Sequence, residues 1–122
     1  MPVLLIYGMP DVGEAPLKRL TDALQDAVSG ALSIPPSQVS VFYPVDRMQS
    51  GLGEELVCFV EGLFSMPERT IGVRQRLADS LENVLSAFAV VLGPPRCRMV
   101  EVFVKQFDPK NDGFASSELV RG

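Results

Sequence analysis

Two short segments of this chain recur about sixty residues apart. Pro35-Pro36 returns as Pro94-Pro95, 59 positions on, and Val39-Ser40-Val41-Phe42 returns as Val100-Glu101-Val102-Phe103, 61 positions on. Each copy follows a long segment whose apolar residues recur at three- and four-residue spacing, the signature of a helix with one buried stripe. In the first, from about Ala15 to Ser33, the stripe is Leu17, Leu20, Leu24, Ala27, Val28, Ala31 and Leu32. In the second, from about Thr70 to Leu92, it is Val73, Leu77, Leu81, Val84, Leu85, Phe88 and Leu92. Pro35-Pro36 and Gly93-Pro94 are expected to stop these helices. An apolar run precedes each helix: Val3 to Tyr7, and Glu55 to Phe64. The chain therefore reads as β-α-β twice over, and the shared order favours an internal duplication.

That order predicts the fold class. A crossover of roughly thirty residues returns through a helix to a parallel strand. The expectation is an α/β (α+β) protein with a four-stranded mixed sheet and two helices on one face. Its strands run Val3 to Tyr7, Val39 to Val45, Glu55 to Phe64 and Met99 to Phe107. One domain spans 1–122, with halves at about 1–53 and 54–107 joined by a glycine-bearing loop from Asp46 to Gly53, and with a polar, turn-rich tail at 108–122. Two helices cover one sheet face, expected to be the valine face of Val39, Val41, Val100, Val102 and Val104. The other face keeps Phe42 and Phe103 among Ser40, Glu101 and Lys105. Apolar area left in water costs about 25 cal/mol per Å², so this face calls for a closed homo-oligomer.

Composition narrows the chemistry. A net charge of −4 argues against nucleic acid as a partner, and no apolar run is long enough to span a bilayer. Met1-Pro2 runs straight into a strand without the basic flank of a leader, so a cytoplasmic location is expected. There is no histidine in the chain. Ser-His-Asp chemistry, Cys-His chemistry and His-based metal sites are thereby excluded. Cys58 and Cys97 are too few for a zinc set and read as small hydrophobes. The tail Asp108-Pro109-Lys110-Asn111-Asp112-Gly113 imitates a calcium loop but places Lys110 at the third ligand position and Leu119 at the twelfth. An acid–base catalyst must then be a carboxylate, a lysine, a tyrosine, a cysteine or an α-amine. Pro2 offers the last of these. With Met1 removed, it becomes a secondary amine at the end of a buried strand.

The Met-Pro-strand start, the two β-α-β halves and the chain length together resemble the tautomerase superfamily. Val45-Asp46-Arg47-Met48-Gln49, the run Glu68-Arg69-Thr70-Ile71-Gly72-Val73-Arg74-Gln75 and Phe107-Asp108-Pro109 resemble 5-carboxymethyl-2-hydroxymuconate isomerase. The Pro35-Pro36 turn with its following strand resembles macrophage migration inhibitory factor. The resemblance implies a trimer and a cofactor-independent isomerase without a metal. Pro2 would be the general acid/base, moving a proton between the enol and keto forms of a small anionic carbonyl acid. An α-amine has a reference pKa of about 7.7–8.0, and an apolar pocket lowers it toward neutrality. Arg69 matches an arginine of the isomerase branch and would hold a substrate carboxylate. Lys105 would assist as a second cation, and Phe103 would line the pocket. The cytokine-like branch has lysine where Ile34 stands, tyrosine at Phe103 and asparagine at Lys105. These differences keep open an inactive homologue serving as an interaction module. Dehalogenation or decarboxylation of a small acid by a cationic Pro2 also remains open.

Overall fold

A computed structural model describes residues 1–45, 55–92 and 97–119. The loop from Asp46 to Gly53 with Arg47, and the stop at Gly93-Pro94-Pro95, lie outside the described residues. The elements follow the expected order: β1 (Val3–Tyr7), α1 (Glu14–Leu32), a 3-10 turn (Pro36–Gln38), β2 (Ser40–Phe42), β3 (Glu55–Phe64), α2 (Ile71–Leu92) and β4 (Met99–Phe107). The sheet order is β2-β1-β3-β4. β1 pairs parallel with β2, β3 pairs parallel with β4, and the two β-α-β units join where β1 and β3 run antiparallel.

Local chemistry sets the ends of α1. Gly13 precedes it at φ +86°, a conformation that costs glycine little, and its N–H is accepted by the Asp11 carboxylate at 3.3 Å. Glu14 sits in the first turn, where the helix dipole favours negative charge. Pro16, in the same turn, forfeits no hydrogen bond. The helix stops before the prolines expected to stop it. Ser33 takes the left-handed conformation at φ +56°, and its N–H bonds Ser29 O at 2.9 Å. Pro36 then opens the 3-10 turn.

β2 is shorter than the expected Val39 to Val45. Val39 closes the 3-10 turn, its N–H bonding Pro36 O at 3.1 Å. At the other end Pro44 has no ladder donor, and Tyr43 is tied to α1. Its hydroxyl lies 2.7 Å from Thr21 Oγ1, which itself donates to Leu17 O at 2.8 Å. Burial raises the Tyr43 pKa, and the bond to Thr21 opposes the rise only in part.

The core lies between the helices and one sheet face. Leu4 and Ile6 of β1 meet Leu24 and Val28 of α1, Cys58, Val60 and Leu63 of β3, and Leu77, Leu81 and Leu85 of α2, all at 0% exposure. Val41, Val100, Val102 and Val104 pack against this cluster, which places the valine face under the helices as expected. Desolvation pushes the buried Cys58 thiol from 9.0 up to about 12. A thiol held in that way is inert near neutrality.

Two outcomes follow. Leu81→Ala should cost about 2–5 kcal/mol in urea unfolding, since the cavity opens at the centre of the helix–sheet contact. The raised Cys58 pKa means the folded chain keeps a proton that the unfolded chain releases. Its stabilisation is therefore intact below about pH 9 and lost as pH climbs toward 12. Unfolding free energy across that window should fall less steeply in Cys58→Ala, by up to about 1.4 kcal/mol per pH unit.

Candidate functional site

Pro2 opens β1 from a buried position. It shares the inward parity of Leu4 and Ile6, so its ring belongs to the helix-covered face. Its carbonyl accepts Ser40 N–H at 3.2 Å, fixing it to the start of β2. On the other side Val3 is paired with Glu61 of β3. The next step outward brings Pro2 level with a local irregularity in β3. Val60 pairs with Val104 but Leu63 pairs with Gln106, so β3 carries one residue more than β4 over this stretch.

Arg69 belongs to the same end of the sheet. After β3 the chain turns back, Arg69 N–H bonding Met66 O at 3.0 Å. The Arg69 side chain is half-buried and donates from Nη1 to Phe64 O, the last carbonyl of β3, at 2.9 Å. Its own carbonyl accepts Arg74 Nε at 3.3 Å. The bond from Nη1 fixes the guanidinium at the C-terminal end of β3, with Nη2 and Nε on its other edge.

Phe103 and Lys105 stand elsewhere. Both lie on exposed positions of β4 on the uncovered face. Phe103 stacks on Phe59 with ring centroids 5.3 Å apart, and Tyr7 meets the edge of Phe59 at 5.9 Å. The registers Phe42↔Leu5, Leu5↔Phe59 and Phe59↔Phe103 make one continuous apolar row across all four strands. Phe42 and Phe103, the matching residues of the sequence repeat, end that row with 55% and 49% exposure. Strand β3 stands between β1, which Pro2 precedes, and β4, which carries Phe103 and Lys105. Arg74 lines a small cleft of about 240 Å³ with Ile71, Gln75 and Phe103.

The tail contributes a residue that the sequence reading did not single out. Asp108 accepts the N–H groups of Asn111 and Asp112 on its carbonyl, while its carboxylate accepts Lys110 N and Asn111 Nδ2. This turn sends the chain back over the sheet end. Phe114 packs edge-on against Phe64 at 4.8 Å and also meets Phe107 at 6.1 Å. A lone aromatic in an otherwise polar tail was the available clue. Among the described residues, no group of three His, Cys, Asp or Glu side chains is placed to hold a metal ion. No described helix is long and apolar enough to cross a membrane.

No family model matches the chain, and no curated protein matches it in sequence. Solved structures do match its fold. A fused 4-OT, described as a wild-type asymmetric trimer, is 20% identical with a TM-score of 0.68 and 94% of each chain covered. The macrophage migration inhibitory factor of Toxoplasma gondii is 21% identical with a TM-score of 0.61, covering 94% of this chain and 97% of its own. FG41 malonate semialdehyde decarboxylase, inhibited by 3-bromopropiolate, is 16% identical with a TM-score of 0.55, covering 97% of this chain and 91% of its own. At these identities the likeness concerns the architecture: the chain has the tautomerase fold.

Phe114→Ala should release the tail while leaving the sheet intact. Amide exchange over 111–119 should speed at least tenfold, with no change in the protection of β1 and β3.

Proposed function

We propose that this tautomerase-fold chain is a proton-transfer isomerase acting on a small anionic carbonyl acid, with Pro2 as its general acid/base. The observation that carries the reading is the placement of Pro2, buried at the start of a central strand, at the same sheet end as Arg69. Removal of Met1 turns the Pro2 nitrogen into a secondary amine. Burial disfavours its charged form and lowers its pKa toward neutrality, where a base works best. The amine takes a proton from carbon next to a carbonyl, or from an enol, and returns it elsewhere on the conjugated system. Arg69 binds the substrate carboxylate through the two donors not committed to Phe64 O.

Homotrimer formation completes this reading. Fused 4-OT is a trimer, and a threefold assembly here buries the row from Phe42 to Phe103. Phe103 and Lys105 then reach Pro2 from a neighbouring protomer, Phe103 as a pocket wall and Lys105 as a second cation. No cofactor is needed, because the amine supplies the chemistry. Cys58 and Cys97 are free thiols, which suits the reducing cytoplasm where we place the protein. A second reading has its own support: while Met1 is bonded to Pro2, the nitrogen is an amide and no base, and the chain is then a non-catalytic oligomeric module. A third, decarboxylation or dehalogenation of a small acid, draws on the likeness to malonate semialdehyde decarboxylase.

Intact mass should show Met1 absent from the native protein. Pro2→Ala should then cut phenylpyruvate tautomerisation by about 100-fold or more, within the range for loss of a general base, while light scattering still reports a trimer. Equal rates in the two proteins would leave the non-catalytic module. Arg69→Ala should raise KM for the carboxylate substrate by about tenfold, the worth of one charge-assisted hydrogen bond. An unchanged KM would remove Arg69 from the site.

A further inference from the structure

The C-terminal half of α2 carries more apolar surface than the core uses. From Val84 to Leu92 every residue but Ser86 is apolar, and a helix apolar on all sides is normally buried on all sides. Here only Leu85 is fully enclosed, while Val91 is 84% exposed. α1 runs beside α2 in the opposite direction, because each helix joins a parallel strand pair and the two pairs meet antiparallel. Between the two helices lies a groove of about 510 Å³. Leu20 and Ala23 of α1 and Val84, Ala87, Phe88 and Val91 of α2 line it. Ala87 and Val91 are exposed, so the groove opens on the side away from the sheet. Ala23 and Ala87, the smallest of these side chains, face one another across it and give it depth.

One charged side chain lines this groove, Arg19. Its neighbour Lys18 takes the nearby carboxylate, pairing with Asp22 at 3.2 Å, and the residue four positions after Arg19 is Ala23. Arg19 makes no ion pair or hydrogen bond among the described residues. An apolar trough with a single uncommitted guanidinium is complementary to a molecule with an apolar tail and one anionic head. We propose that the groove binds a free medium-chain carboxylic acid, its alkyl tail between α1 and α2 and its carboxylate on Arg19. The lining from Pro16 to Ala23 rises about 10 Å along α1, which sets a short tail. The concave shape admits one chain, and the net charge of −4 opposes an anionic bilayer as the occupant. The groove lies across the molecule from the row of Phe42 and Phe103, so burial of that row leaves it open. It is also independent of the Pro2 chemistry.

The test is an amide NMR titration of the full chain with butanoate, hexanoate and octanoate. Saturable shifts should appear at Ala23, Ala87 and Val91, and each added methylene should tighten binding about threefold to fourfold while the groove still has room. Arg19→Gln should weaken octanoate about fivefold or more and leave octanol unchanged, because octanol has the tail without the charge. Ala87→Glu, at an exposed helical position that tolerates it, should abolish octanoate binding by placing a carboxylate beside Arg19. Equal octanoate affinity in wild type and Arg19→Gln would overturn the assignment of the head. Shifts confined to Val3 and Leu4, or to the row of Phe42 and Phe103, would overturn the groove as the site. Vesicles of anionic phospholipid should leave the protein in the supernatant; co-sedimentation that Arg19→Gln removes would overturn the free acid as occupant.

Discussion

The antiparallel pairing of β1 with β3 is the constraint on which the remaining features depend. It runs from Val3↔Glu61 to Tyr7↔Val57, with Leu5↔Phe59 at its centre. Each β-α-β unit alone is a two-stranded parallel ribbon with one helix, too little to exclude water from both sides of the helix stripe. The β1–β3 ladder makes the two ribbons one sheet and sets both helices on the same face. Leu24 and Val28 can then share a core with Leu77, Leu81 and Leu85. The same register brings Pro2 to the far end of β3, next to the one place where that strand gains a residue.

The two sheet faces have unequal fates. The covered face is aliphatic and tightly buried, with no buried polar side chain among the described residues. The other carries the row Phe42, Leu5, Phe59 and Phe103, with charged positions at Glu101 and Lys105 beside it. An aromatic row across a sheet, half-exposed at both ends, suits burial against copies of itself, since the charges flanking it set register and orientation. Function and assembly are coupled in this account. Under the proposed function, the base and Arg69 would come from one protomer, and the pocket wall and second cation from another.

Much of this was legible in the sequence because it is carried by periodicity. The two leucine stripes and the alternation of Val100, Val102 and Val104 against Phe103 and Lys105 specify helix faces and strand parity directly. The repeat specified even more than topology, since Phe42 and Phe103 do end one row. The misses were local. Side-chain bonding from Tyr43 to Thr21 shortened β2, and Ser33, with no special propensity for the left-handed region, ended α1 before the prolines. The one-residue register shift between β3 and β4 is another feature that no period within a strand records. Phe114 folds back through the Asp108 turn, and a lone aromatic in a polar tail does not say where it lands. Arg69 was singled out by resemblance and not by spacing, and its place at the C-terminal end of β3 comes from its bond to Phe64 O.

The central claim is that the Pro2 nitrogen is a buried amine poised to take a proton. Its most direct test is a ¹⁵N NMR titration of Met1-free protein labelled at proline, following the one proline nitrogen that is an amine. The account predicts a single titration with a pKa below the ordinary α-amine range of about 7.7–8.0. A Pro2 amine that titrates within or above that range would contradict it, because such a nitrogen would be solvated and protonated at neutral pH.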